Sequence, residues 1–228
     1  MDSLVLWDID GTLLNAGGLG AEVFDRALDA ALGARPPERV AMSGKTDPQI
    51  VGEYLDMLGI GDRDAHLPAV LAALERELEA AEQEIRDAGR VLPGVPEAIA
   101  AIAALGSLQS VLTGNIAPNA RRKLAIFGLD GLLDLEVGAF GSDHADRREL
   151  VPVALGRVRA TRGRSFDPSR VWIVGDSAND LACARAGGVR CLLVATGRSS
   201  GRELAALGPD FVVEDLSDTG AVVDILAS

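Results

Sequence analysis

Two acidic residues follow the first apolar segment of the chain, in the run DIDGT at residues 8–12. The preceding Leu4–Trp7 is typical of a buried parallel strand, and open parallel sheets bind ligands beyond the carboxyl ends of their strands. The carboxylates of Asp8 and Asp10 would repel each other there and lose solvation, so they need a cation. Gly11 permits a tight turn that leaves both at the mouth of a site. The pattern therefore favours metal-assisted chemistry over a simple turn.

A second polar cluster follows another apolar run, which predicts a strand over residues 110–113. The hydroxyl of Thr113 and the amide of Gly114 can donate to phosphate oxygens, with Asn115 next to them. The helix that follows would add the dipole of its N-terminus. This cluster predicts a phosphate-binding turn.

A third cluster, GDSAND at residues 175–180, follows the apolar run 171–174. Asp176 lies at the end of the predicted strand, and Asp180 lies four residues later, so both can face one site. Ser177 fits the N-cap of the next helix. Three strand ends thus deliver hard oxygen ligands to one rim, and such ligands suit Mg²⁺ better than Zn²⁺.

These clusters lie on an alternation of strands and helices, which predicts an α/β fold with a doubly wound parallel sheet. Further apolar runs at 191–194 and 211–213 supply the remaining strands. Residues 16–90 show helical spacing and no convincing strand. We therefore predict a Rossmann-like core domain, residues 1–15 and 91–228, with an inserted all-helical cap domain, residues 16–90.

Composition limits the partners. The chain has 228 residues, and its formal net charge of −12 repels nucleic acid and anionic membrane surfaces. No apolar run reaches the ~18 residues of a membrane-spanning helix. We expect a cytoplasmic protein, a monomer or homodimer, that acts on a small molecule. The cysteines, Cys183 and Cys191, are expected to be buried apolar side chains.

The order of the motifs resembles the haloacid dehalogenase-like hydrolases over the whole chain, and in particular the phosphoglycolate phosphatase-like members with a helical cap. The resemblance implies that Asp8 is the nucleophile and a Mg²⁺ ligand. Asp10 would be the acid and base, with its carbonyl on the metal. Asp176 would complete the metal site, and Asp180 would support it or the family's lysine. The phosphoryl group would be held by the cluster Thr113, Gly114 and Asn115.

The family's lysine has two candidates in an arginine-rich chain with only two lysines. Lys123, on the helix after Asn115, is assigned the charge-balancing role, with Arg147 as the substitute candidate. The other lysine lies in a loop before a helix for which Asp47 fits the N-cap. Relatives place such a loop over the active site, so Lys45 and Thr46 are expected to contact the leaving group.

The resemblance implies a Mg²⁺-dependent phosphatase for a small phosphorylated metabolite, working through an aspartyl phosphate. The dehalogenases and phosphonate hydrolases of the family lack an acid at the position of Asp10, which argues against both. A sugar-phosphate mutase shares all the core motifs and stays open. A non-catalytic phosphate-binding or regulatory protein on the same fold is the alternative from another class.

Overall fold

The computed structural model describes residues 3–228, and its centre is a parallel sheet with the strand order β4-β1-β5-β6-β7. The strands are β1 (Leu4–Trp7), β2 (Leu14–Asn15), β3 (Arg90–Val91), β4 (Leu108–Val111), β5 (Val171–Gly175), β6 (Arg190–Val194) and β7 (Phe211–Val213). The helices are α1 (Gly20–Leu32), α2 (Asp47–Met57), α3 (Arg63–Ala80), α4 (Glu82–Ala88), α5 (Val95–Ala104), α6 (Ala117–Ile126), α7 (Leu150–Arg162), α8 (Ala178–Gly187), α9 (Gly201–Ala206) and α10 (Thr219–Ala227).

Helices cover both faces of this sheet, because alternate side chains of each strand point to opposite sides. In β1, Val5 and Trp7 join a cluster with residues of α5 and α10, whereas Leu4 and Leu6 join a cluster with residues of α7 and α8. All four are fully buried. The predicted α/β fold with a doubly wound parallel sheet is confirmed.

The carboxyl ends of β1, β4 and β5 meet at one edge of the sheet, where the polar clusters follow. The β4 strand ends two residues earlier than predicted, at Val111. Leu112 still donates its N–H to Trp7 O at 2.9 Å, and it forms an isolated bridge to Ala139. Pairing with β1 over Leu4–Trp7 decides this boundary, and the apolar pattern of the strand does not reveal it.

The cap segment, defined as residues 16–90, contains α1 to α4. Its entry and exit are joined by an antiparallel ribbon, in which Leu14 of β2 pairs with Val91 of β3 and Asn15 with Arg90. The expectation of no strand up to residue 90 was therefore wrong by one residue. Two-residue strands arise from this long-range pairing and leave no apolar pattern. The domain boundaries after residues 15 and 90 stay predictions.

Helix α2 starts one residue earlier than predicted, at the residue expected to be its N-cap. Thr46 is the N-cap, and its Oγ1 accepts a hydrogen bond from Gln49 N at 3.2 Å. Asp47, the predicted N-cap, is the first helical residue, because its carboxylate bonds to another part of the chain. No helix among residues 3–228 has the length and apolar character needed to cross a membrane.

Candidate active site

Asp8 is the first residue after β1, and its carboxylate is buried. Its N–H donates to Val174 O at 2.8 Å, which continues the pairing of β1 with β5. The residue is 5% exposed, and its Oδ1 lies 3.0 Å from Nη2 of Arg147. The strand thus delivers a buried, cation-paired carboxylate to the edge of the sheet.

Asp10 occupies a more open position in the turn that follows. Gly11 adopts a φ of +87°, which a residue with a side chain rarely adopts. A Cβ there would also lie 2.7 Å from Oδ2 of Asp176, so glycine lets the turn approach this acid. The Asp10 carboxylate accepts hydrogen bonds of 2.7 and 2.9 Å from Nζ of Lys123.

Thr113 and Asn115 join Asp10 and Lys123 in one hydrogen-bonded cluster. The fully buried Thr113 accepts at Oγ1 from Nδ2 of Asn115, at 2.8 Å. Nδ2 of Asn115 also donates to Oδ2 of Asp10 at 2.8 Å, and Oδ1 of Asn115 accepts from Nζ of Lys123 at 2.7 Å. The structure therefore brings together residues of the first two motifs and the predicted lysine.

The start of α6 is bonded to protein groups. Ile116 N donates to Oδ2 of Asp47 at 2.7 Å, and Ala117 N donates to Oγ of Ser142 at 2.8 Å. These are N–H groups that a helix N-terminus would otherwise offer to an anion. The expected contribution of this helix end to phosphate binding is thus reduced, because the Asp47 carboxylate already accepts the N–H of Ile116.

Asp176 and Asp180 lie around the start of α8. Ser177 is the N-cap and forms a capping box with Asp180. Oδ2 of Asp180 accepts from Ser177 N at 3.0 Å and from Ser177 Oγ at 2.6 Å. Its Oδ1 accepts from Nη2 of Arg147 at 2.5 Å. With both oxygens bonded and no exposed surface, Asp180 orients Arg147 and does not contact Lys123.

Arg147 is buried between the ends of several elements, in a single 3₁₀ turn before α7. Its Nη2 contacts both Asp8 and Asp180, and donates to Leu112 O at 3.3 Å. Although burial opposes the charge, the carboxylates of Asp180 and Asp8 raise the pKa of Arg147 above its ordinary value. The arginine therefore carries a permanent charge beside Asp8.

Three carboxylates gather here as a candidate metal centre. Oxygens of Asp8, Asp176 and Asp180 all lie within 4.8 Å of one another. Burial raises the pKa of Asp8 to about 6, against the lowering effect of Arg147. Burial, with the charges of Asp180 and Asp8, raises the pKa of Asp176 to about 8. A cation held by Asp8 and Asp176 would offset the cost of burying their ionised carboxylates, so the donor set fits a hard divalent ion.

The three motifs line one cleft of about 330 Å³, and the cap segment forms its opposite wall. Lys45 lines the cleft, with its Nζ 2.5 Å from Oε2 of Glu53. Thr46, by contrast, is fully buried and donates from Oγ1 to Ala145 O at 2.5 Å. The hydroxyl of Thr46 thus fastens the loop to the core, and its expected contact with the leaving group stays a prediction.

A sequence model of the haloacid dehalogenase-like hydrolases matches residues 5–185 of this chain, which contain all three motifs. The chain belongs to this family.

Curated members of the family resemble the chain over almost its full length. It is 27% identical to the phosphoglycolate phosphatase of Vibrio vulnificus, covering 98% of this chain and 97% of that protein. It is 30% identical to the phosphoglycolate phosphatase of Cupriavidus necator, covering 96% of this chain and 92% of that protein. A solved hydrolase from Pseudomonas syringae has the same fold, with a TM-score of 0.73 at 19% identity and full coverage of both chains. The prediction of a phosphoric monoester hydrolase is confirmed.

Two parts of this hydrolase site escaped sequence reasoning. Asp47 is a buried acid of the cap segment that reaches the start of α6, although its position suggested a local helix cap. Gly197, after β6, packs on Asp176 so closely that a Cβ would lie 1.7 Å from its Oδ2. Thr196 donates from Oγ1 to Gly11 O at 2.6 Å and holds this loop against the first motif. The only available signal was a Thr-Gly pair shortly after an apolar strand.

Proposed function

We propose that the chain is a Mg²⁺-dependent phosphatase for a small phosphorylated metabolite, and that Asp8 is its nucleophile. The observation that supports this most is the setting of Asp8, a buried carboxylate in contact with Arg147 and close to Asp176. Asp8 lines a cleft large enough for a small metabolite. The relatives named phosphoglycolate phosphatase suggest phosphoglycolate as the first substrate to test.

An oxygen of the Asp8 carboxylate would attack phosphorus, and the bond from phosphorus to the leaving oxygen would break. Asp10 would give that oxygen a proton and later take one from the water that hydrolyses the aspartyl phosphate. Inorganic phosphate would leave and Asp8 would be restored. Thr113 and the Gly114 amide would hold the phosphoryl oxygens during both steps.

Mg²⁺ would be held by the carboxylates of Asp8 and Asp176 and by the backbone carbonyl of Asp10. When bound, it supplies positive charge that neutralises the phosphoryl oxygens. Arg147 would keep the unbound oxygen of Asp8 oriented, while Asp180 keeps Arg147 in place. Lys123 would balance the charge of Asp10.

Lys45 would contact the leaving group from the cap segment. Its ammonium already has a partner in Glu53, so a substrate carboxylate must share or replace that ion pair. A compact ammonium suits such a carboxylate.

Turnover of nitrophenyl phosphate, phosphoglycolate and a panel of sugar phosphates tests the proposal. We expect Mg²⁺-dependent release of inorganic phosphate, near-complete loss in Asp8→Asn because an amide cannot attack phosphorus, and full activity in Asp64→Asn on the exposed side of α3. Unchanged turnover in Asp8→Asn or in excess chelator would contradict the mechanism. Phosphate transfer between sugar positions without release would indicate a mutase, and binding without turnover a non-catalytic protein.

A further inference from the structure

Asp47 is a buried acid that the proposed chemistry does not use. It begins α2 in the cap segment and is 6% exposed. Burial raises its pKa to about 6, against the lowering effect of the nearby Lys123. Burying a carboxylate is costly unless it has hydrogen-bond partners. Its partners lie in the core, on the turn formed by residues 113–116.

Two hydrogen bonds join Asp47 to opposite ends of this turn. Its backbone N–H donates to Gly114 O at 2.7 Å. Its Oδ2 accepts from Ile116 N, also at 2.7 Å. Ile116 is the N-cap residue of α6, and its own side chain makes no capping bond. The carboxylate therefore caps a core helix from the cap segment, where the helix dipole favours a negative charge.

The turn and the cap segment are also in backbone contact. A Cβ on Gly114 would lie 2.0 Å from Lys45 O, so no other residue fits without displacing the loop. The same turn carries Thr113 and Asn115, which bond to each other, and Asn115 also bonds to Asp10. A shift of the turn would therefore move the groups assigned to the phosphoryl oxygens.

We propose that Asp47 is a positioning residue, whose carboxylate holds the 113–116 turn in the conformation that binds the phosphoryl group. The proposal rests on the proposed function for the role of this turn. The proposal gives different roles to two residues that lie close together in the sequence, Lys45 and Asp47. Lys45 acts on the leaving group, which differs between substrates, whereas Asp47 acts on the phosphoryl site, which all substrates share.

Substituting Asp47 should weaken binding of the phosphoryl group whatever is attached to it. We expect Asp47→Ala to raise the inhibition constant of inorganic phosphate, and the KM of every phosphate ester, by a common factor of about 10, the scale of one charge-assisted hydrogen bond. Asp47→Asn keeps an oxygen that accepts from Ile116 N and should stay within about threefold of the wild type. Steady-state kinetics with nitrophenyl phosphate and phosphoglycolate measure both effects.

A matched control separates positioning from loss of cap stability. Asp62 accepts a hydrogen bond from Ala65 N at 3.1 Å as the N-cap of α3. It lies in the same segment, is exposed, and makes no hydrogen bond or ion pair with the core among residues 3–228. Asp62→Ala should lower the melting temperature and leave phosphate inhibition unchanged. If Asp47→Ala does not fold, Asp47→Glu, which moves the acceptor by one methylene, replaces it with the same expected direction.

Three results would overturn the proposal: wild-type phosphate inhibition in Asp47→Ala, equal losses in the Asn and Ala variants, or a KM change confined to one ester. Equal losses would mean that the charge of Asp47 matters and its hydrogen bond does not. If the wild type hydrolyses no ester, the proposed function fails. Calorimetric titration of the Mg²⁺-loaded protein with inorganic phosphate then still decides the role of Asp47.

Discussion

The two buried cations of the site serve different carboxylates. Lys123 contacts Asp10, while Arg147 contacts Asp8 and Asp180. Removing one partner of a buried ion pair leaves an uncompensated charge and is strongly destabilising. Arg147 contacts Asp8, the proposed nucleophile, so we expect it to matter most for the proposed attack, in place of the Lys123 that the sequence suggested.

We predict that Arg147→Ala slows formation of the phosphoryl enzyme more than Lys123→Ala does, by roughly 10²-fold against the wild type, because the Arg147 cation contacts the carboxylate of Asp8, whereas Lys123 contacts that of Asp10. Rapid-quench measurement of the covalent intermediate checks this. Circular dichroism of both variants confirms that each is folded. A larger loss in Lys123→Ala would return the central role to Lys123.

The second prediction at this scale concerns Lys45 and its partner. Lys45→Met should raise the KM for a substrate with an anionic leaving group by about tenfold and barely change that for nitrophenyl phosphate, because uniform binding is lost for one substrate only. Glu53→Gln removes the ion-pair partner of Lys45 and should lower the KM for the substrate with an anionic leaving group. Equal KM changes for both substrates would show that Lys45 does not read the leaving group.

At the scale of elements, the loop of residues 43–46 connects the cap segment to the catalytic edge of the sheet. Asn179 of α8 donates from Nδ2 to Ser43 O at 2.9 Å. Gly44 has a φ of +66°, and a Cβ there would lie 2.4 Å from Oγ of Ser177. The loop thus fits against the start of α8 only because it is narrow at this glycine.

The third prediction uses this close approach. Gly44→Ala should displace the loop and lower kcat/KM by about tenfold or more, because the new methyl group overlaps Ser177. Gly33→Ala is the matched control, since Gly33 has a φ of +63° with nothing within 4 Å of an added Cβ. Both substitutions strain the backbone equally, so comparing activity at matched stability isolates the overlap. Equal activities would mean that the loop does not need this contact.

For the whole molecule, stability depends on pH through buried acids. The pKa values of Asp8 and Asp47 are raised to about 6 and that of Asp176 to about 8, chiefly by burial. Between about pH 4 and pH 8, the folded state therefore binds more protons than the unfolded state, in which such acids titrate near 4. The free energy of unfolding must then fall as pH rises through this window.

The fourth prediction follows from this sign. In chelator, the melting temperature should fall between pH 5 and pH 8, by roughly 2–4 °C for each kcal/mol lost. The proposed Mg²⁺ would bind the ionised carboxylates, so it should stabilise the protein more at pH 8 than at pH 5. Asp176→Asn should reduce both the fall in melting temperature and the extra stabilisation by Mg²⁺ at pH 8. Asp64→Asn, at an exposed position, should leave both unchanged. Scanning calorimetry that shows a rise in stability with pH in chelator would contradict the assignment.

Local pattern was enough to predict the sheet and the acids at its edge. Apolar runs followed by polar residues mark buried parallel strands, and the carboxyl ends of such strands converge whatever the rest of the chain does. Asp8, Asp10, Thr113 and Asp176 could be placed together for this reason. The helical character of the cap segment followed in the same way from its periodicity.

Tertiary structure alone decided which groups bond to one another. Asp47 fits a local helix cap in sequence, and only the approach of the core assigned its carboxylate to Ile116 N. The cap position went to Thr46, whose hydroxyl also donates to Ala145 O. Lys123 and Arg147 could both balance a carboxylate, and their packing positions determined which one contacts Asp8. Residues far apart in sequence meet through packing, and periodicity carries no information about such pairs. The sequence by itself therefore determined the fold and the set of reactive groups, and folding determined their partners.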